Sequence, residues 1–179
     1  MNLTISWLIV CLLLSPSTRS LHPTGSTSVA GNQSTNLQQE REAIFVATNQ
    51  QRARKRLAPL RKDPKLMQAA QAYADLMAAR DQMSHTIRGL TLTDKADQVG
   101  YAYRQISENI ALNTQLAGAF VVDEQWMKSK QHRQNLLDPT SRDFGIGIAG
   151  PSKKNYYYYC QLFGSLVRRR HGGHSQRPD

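Results

Sequence analysis

Phe144-Gly145-Ile146-Gly147-Ile148-Ala149, then Gly150-Pro151, then Asn155-Tyr156-Tyr157-Tyr158-Tyr159-Cys160-Gln161-Leu162-Phe163: this stretch decides the fold. Its first segment alternates with glycines, the pattern of a strand against which another backbone packs closely. Gly150-Pro151 begins a turn and the aromatic run reads as a second strand, so the two predict a β-hairpin. The tyrosines alternate along their strand, which sends one pair to the core and the other to a helix or to solvent. Upstream, Ala102–Ala111 reads as a further strand, and Leu116–Lys130 carries Phe120, Val121, Glu124 and Met127 with Trp126 as a helix. Phe120, Trp126 and Met127 are expected in its core contact. Earlier still, Asp63-Pro64 makes an N-cap and first-turn proline. Leu66, Ala69, Ala70, Tyr73, Leu76 and Met77 then follow at i, i+3, i+4, i+7 spacing, an amphipathic helix to about Gln82. Gln38–Leu57 predicts another helix, with Ile44, Ala47 and Gln51 on one face. Its exit from Gln50 is basic, through Arg52, Arg54, Lys55 and Arg56, and Pro59 closes it. Between these, His85–Tyr103 reads as loop with one helical turn around Asp94–Gln98. Helices first and strands last predict an α+β fold with an antiparallel sheet.

The chain has 179 residues, room for one ordinary domain and short appendages. A composition of 40% hydrophobic and 20% charged residues excludes wholesale disorder and collagen-like fibres. Residues 1–20 read as a secretory signal: Leu3–Leu14 is largely apolar, Ser15-Pro16-Ser17 breaks it, and Thr18 and Ser20 sit at −3 and −1 of a cut before Leu21. The apolar stretch is short for a stable membrane span of ~20 residues, and the alternative is an uncleaved anchor. Cleavage removes Cys11 and leaves Cys160 alone, so no intramolecular disulfide is expected and Cys160 reads as a small buried hydrophobe. Residues 21–37 are rich in Ser, Thr, Gly and Asn and read as a flexible linker, with Asn32-Gln33-Ser34 a glycosylation acceptor in a eukaryotic host. The folded domain is expected at 38–165 and a basic disordered tail at 166–179. With 23 Lys plus Arg against 13 Asp plus Glu the formal charge is +10. That balance draws attention to Arg52–Arg61 and Arg168–Arg170 as segments that could adhere to acidic lipids or cell-surface polymers. The competing reading is a solvated helix face and a free tail. No nucleic-acid motif accompanies the charge.

Inside the domain the chemistry-bearing residues are few. His85 and His132 are far apart in sequence, and spacing alone says nothing about a metal. Glu108, next to an apolar run, is either a buried partner for a histidine or a strand-edge residue. Ser84 and Ser129 each lie near a histidine, without a Gly-x-Ser-x-Gly elbow.

The order of the motifs says more. Met83-Ser84-His85, Ser107-Glu108-Asn109-Ile110-Ala111, Trp126 through His132 to Leu137, Phe144-Gly145-Ile146-Gly147 and Tyr159-Cys160-Gln161-Leu162-Phe163-Gly164 together resemble the CAP superfamily, especially its bacterial members. This superfamily holds cysteine-rich secretory proteins, antigen-five allergens and plant pathogenesis-related proteins; its shared module is also called the SCP domain. The resemblance spans about Gln38–Gly164. It implies an α-β-α sandwich with a small antiparallel sheet between helices, secretion, and a groove lined by two histidines and acidic partners. It also implies a protein usually without established catalytic activity, some relatives binding sterols or other lipids and some a divalent metal. Position by position, His85 and His132 match the groove histidines and Glu108 the acidic residue of the Glu-Asn-Ile motif. Ser129 falls where many eukaryotic members carry a second acidic residue. Ser107 and Gln131 replace usual glycines, and the eukaryotic cysteine framework is missing.

The expectation is therefore a secreted or periplasmic monomer that binds a small-molecule or lipid-like ligand through His85, Glu108, Ser129 and His132. Two neutral imidazoles and a carboxylate would suit Zn²⁺ with an open position, with His85 and His132 as ligands. Without metal, Glu108 would raise the histidine pKa values. A metal-assisted hydrolase using the same trio is the alternative, as is binding of acidic surface polymers through the basic segments.

Overall fold

The carboxylate of Asp63 accepts from the backbone N–H groups of Lys65 (2.9 Å) and Leu66 (3.1 Å), and Pro64 fills the first turn, so helix α2 starts where the sequence places it and runs Pro64–Arg80. The computed structural model describes residues 26–167; the expected leader and the stretch from Arg168 onward lie outside the described residues. Around α2, the chain forms α1 (Ser26–Arg54), β1 (Arg61–Lys62), α3 (Leu92–Gln98), β2 (Tyr103–Asn113), a short α4 (Gly118–Phe120) running into a π-helical segment (Val121–Trp126), α5 (Lys130–Leu136), β3 (Asp143–Ala149) and β4 (Tyr157–Leu166). The sheet order is β1-β3-β4-β2, antiparallel except for the two-residue β1, which pairs parallel with β3. The expected hairpin is β3–β4, with Phe144 opposite Phe163 and Ala149 opposite Tyr158.

Strand alternation then sorts side chains into two layers. Tyr158, Cys160 and Leu162 meet α2 and α3 in one core, while Tyr159, Phe163, Phe144 and Ile146 meet α1, the π-segment and α5 in the other. The fold is thus the expected α+β sandwich, and both sheet faces are covered. Gly145 and Gly147 are where α2 touches the sheet: a Cβ on either would overlap the carbonyl of Leu66 or Ala70. Cys160 is a fully buried free thiol, as its apolar surroundings suggested.

Three details differ from the sequence reading. Helix α1 begins at Ser26, so residues 26–37 of the expected linker are helical: Leu37 packs on the α1-side core, and Gln33 Nε2 donates to Gly150 O at 3.1 Å. Phe120 is 51% exposed rather than core, because the wider π-turn that follows, closed by Met127 N–H to Val122 O, points Val121, Val122 and Trp126 inward instead. Arg52, assigned to a solvated basic exit, is fully buried. Its guanidinium donates to the carbonyls of Ala58 (3.0 Å), Leu136 (2.9 Å), Asp138 (2.9 Å) and Ser141 (3.4 Å), since it shares a helix face with Ile44 and Thr48 at i, i+4, i+8.

Candidate functional site

Strand β2 is a sheet edge, and its central residues face alternate layers. Ile106, Glu108 and Ile110 point towards α2 and α3; Asn109 and Ala111 point towards α1 and α5. The candidate site lies along this edge, where the two layers meet.

On the α3 side, Thr91 and Asp94 form a reciprocal capping box that starts the helix. The helix then turns Leu92, Lys95, Ala96 and Val99 to one face, and Lys95 goes into the core with the three apolar residues. Its ammonium, on a side chain only 1% exposed, lies 2.5 Å from Glu108 Oε2. It also donates to His85 O at 2.9 Å and sits 3.1 Å from the centre of the Tyr73 ring. The other carboxylate oxygen, Glu108 Oε1, meets His85 Nδ1 at 2.8 Å. An ionised carboxylate only accepts, so Nδ1 carries the proton and His85, 58% exposed, turns its Nε2 outward. Tyr73 holds the loop that carries this histidine, donating to Ser84 O at 2.7 Å, and its own pKa is raised by burial and then by the Glu108 charge. Burial and the same charge push the Cys160 thiol up, with Sγ 3.5 Å from Glu108 Oε2.

On the other side of β2, α5 is tied to the strand through amides. Asn135 donates to Glu108 O (3.0 Å) and Asn109 Oδ1 (2.9 Å), and Asn109 donates to His132 O (3.1 Å) and Gln161 Oε1 (3.2 Å). Gln161 continues the chain to Thr48 Oγ1 at 2.9 Å. The network runs from part-buried bonds at α5 to fully buried ones at Gln161 and joins α1, β4, β2 and α5. It fixes the half-buried His132 by its backbone. Ser129 is the N-cap residue of α5, without a side-chain bond to the helix end. The expectation that Glu108 raises both histidines fails at His132: burial, then the nearby His85, lowers its pKa. Glu108 spends its charge on Lys95 and His85 in the other layer.

Of the four residues predicted, His85 and Glu108 are in direct contact, while Ser129 and His132 belong to the opposite layer across β2. Among the described residues no three His, Cys, Asp or Glu side chains converge as a metal-binding group. The donors do not fit the zinc arrangement read from the sequence. Both Glu108 oxygens are engaged, one by a fixed cation, which leaves two imidazoles where zinc takes three or four protein ligands. Ser84 is likewise committed: its hydroxyl donates to Thr86 O at 2.9 Å and accepts from Thr86 N–H at 3.1 Å. The described clefts, at one end of the sheet, between α1 and α2, and beside the β3–β4 turn, are lined by none of His85, Glu108 and His132. Along this edge His85 is mostly exposed, Glu108 behind it is buried and His132 is half-buried.

Residues 45–163 match the model of the cysteine-rich secretory protein (CAP) family. The chain belongs to the CAP family. It is 29% identical over 105 residues to the Bacillus subtilis protein YkwD, a match covering 58% of this chain and 40% of that protein. The chain thus spans about two-fifths of that curated relative. Among solved structures, an extracellular SCP-domain protein from Bacillus anthracis matches with a TM-score of 0.62 and 28% identity, over 73% of this chain and 40% of that one. An outer surface protein from Borrelia burgdorferi matches with a TM-score of 0.65 over 72% of this chain and 94% of that one. At 19% identity this second likeness speaks for the CAP fold alone. No helix among the described residues is long and apolar enough to cross a membrane.

Lys95 is the residue of this candidate site that the sequence reading missed. Its signal was present: Thr91-x-x-Asp94 is a helix start, and behind it a lysine stands in the apolar positions of Leu92, Ala96 and Val99. Asn135 was legible only as part of a motif, because its partners lie on another element.

Proposed function

We propose that this CAP domain is exported and acts as a binding protein, taking the polar end of a small or lipid-like ligand at the β2 edge between His85 and His132. The observation that carries this is the Lys95–Glu108–His85 chain. A buried cation holds the carboxylate, the carboxylate holds the imidazole, and the outward Nε2 is left to accept from a ligand hydroxyl. Such a chain pre-orients a hydrogen-bonding group at low entropic cost on binding. Glu108 is spent as an anchor in this arrangement, which favours recognition over general-base chemistry. Lys95 supplies the positive charge that a metal would bring, so binding is expected without one.

The test is equilibrium binding of palmitate and of cholesterol to the chain from Leu21, beside the His85→Ala/His132→Ala variant, with and without a chelator. Saturable binding of either probe that survives the chelator and is lost in the variant supports the reading. Ester hydrolysis abolished by His132→Ala would establish the hydrolase instead. One-site Zn²⁺ binding lost in the double variant would establish a two-histidine metal site and overturn the metal-free reading.

A further inference from the structure

The strand directions gather four chain segments at one end of the sheet. Because β1 and β3 are parallel and both β2 and β3 run against β4, the starts of β1, β2 and β3 and the end of β4 share that end. Each contributes to a cleft of about 750 Å³: Arg61 from β1, Arg104 from β2, Arg142 and Asp143 at the start of β3, and Ser165 at the end of β4. Arg61, Arg104 and Arg142 are exposed. The acidic residue among them, Asp143, is buried and fully used: Oδ1 takes Arg61 Nε and Oδ2 takes Tyr101 Oη, each at 2.7 Å. This pins Arg61 as a fixed wall. Arg142 is held at Nη1 by Pro139 O (2.6 Å) and Ser141 O (2.8 Å). Neither Arg104 nor Arg142 has an ion-pair partner among the described residues. Asp138, behind the rim, is committed to Thr140 and Gln105. Three guanidiniums against one carboxylate leave the lining with a net charge of +2.

We propose that this cleft binds a phosphate ester, with Arg104 and Arg142 gripping the phosphate and Arg61 forming the fixed side of the site. Guanidinium forks match phosphate oxygens two at a time, and a phosphate ester carries between one and about two negative charges, which fits the lining. The volume exceeds a bare phosphate, and Gln105, Thr140 and Ser165 offer polar partners to a hydroxylated body. The group reaches the cleft on a small soluble molecule or on a lipid headgroup. The cleft takes Arg104 and Gln105 from the start of β2 but none of His85, Glu108, Ser129 and His132, so it is a second site, distinct from the histidines.

Glycerol 3-phosphate is titrated calorimetrically into the chain Leu21–Asp179. In parallel, the protein is floated with vesicles of phosphatidylcholine alone or mixed with phosphatidylglycerol. Arg104→Ala/Arg142→Ala is compared with Lys153→Ala/Lys154→Ala, which removes the same charge from the β3–β4 turn at the far end of the sheet. Two charge-assisted contacts predict at least roughly tenfold weaker binding in the arginine variant and little change in the lysine variant. Binding of the soluble ester assigns a small-molecule site; flotation only with phosphatidylglycerol assigns a headgroup site. Equal weakening in both variants, or no saturable binding of either probe, overturns the proposal, and unchanged unfolding midpoints separate it from misfolding.

Discussion

Among the described residues two cations are buried, Arg52 and Lys95, and they are satisfied in opposite ways. Arg52 donates to four backbone carbonyls, drawn from the Leu57–Pro59 bend, the end of α5 and the loop before β3. Its fork therefore staples three chain segments and presents nothing to a ligand. Lys95 is met by one carboxylate, one carbonyl and one aromatic face, and the carboxylate passes the constraint on to an exposed histidine. A cation caged by carbonyls finishes a fold; one paired to a shared carboxylate orients a surface group. Their surroundings differ accordingly: burial and then the neighbouring Arg142 lower the pKa of Arg52, while Lys95 faces its counter-charge directly.

The largest effect should follow from Arg52→Ala. It strands carbonyls in a buried corner at ~1–3 kcal/mol each, so a loss on the order of 4 kcal/mol is expected in urea unfolding, partly relieved by entering water. Arg52→Lys should recover less than half, because an ammonium cannot span the fork; full recovery would mean that charge, and not geometry, holds the corner. Lys95→Met comes next, leaving the buried Glu108 without its cation and with the His85 hydrogen bond, at a cost of about 3–5 kcal/mol. The double variant Lys95→Met/Glu108→Leu should unfold much closer to the native midpoint than either single change. Additive losses in that cycle would show that the two side chains are not coupled and dissolve the contrast with Arg52. His85→Ala should shift stability by under about 1 kcal/mol, since the imidazole is mostly exposed, while removing ligand binding at the edge.

The smallest expected effect is in pH dependence. Burial and His85 lower the His132 pKa, so the folded state binds fewer protons there than the unfolded chain. Stability should then rise with pH through the region below the ordinary histidine value of about 6.5, and fall as the solution is acidified. His132→Gln should flatten that part of the profile, and the His132 ring protons should titrate below the value of an unfolded peptide in NMR. A midpoint above that value would place Glu108's influence on His132 after all.

Much of the fold was legible because its signals are local. The Asp63-Pro64 start, the α2 stripe and the Phe144–Phe163 hairpin each carry their instruction within one turn or one strand pair. The Gly145 and Gly147 positions even announced the close approach of a backbone, though not that it would be α2's Leu66 and Ala70. The misreadings fall where a neighbour overrode local character. Residues 26–37 look like linker until Leu37 finds a core, and Phe120 looks internal until a π-turn rotates the following residues. At the candidate site, His85 and Glu108 were singled out from motifs, yet their pairing needed β2 to lie beside the Ser84–Thr86 loop.

By itself the sequence determined most of the element types, the layer-forming stripes and membership of a recognisable family pattern. Tertiary structure alone decided which charges meet. A lysine in an apolar stripe and an arginine in a basic run carry the same formal charge along the chain. Whether such a charge is solvated, caged by carbonyls or set against a carboxylate depends on elements tens of residues away. Electrostatic energy is fixed by distance and by exclusion of water, and both exist only once the layers have closed.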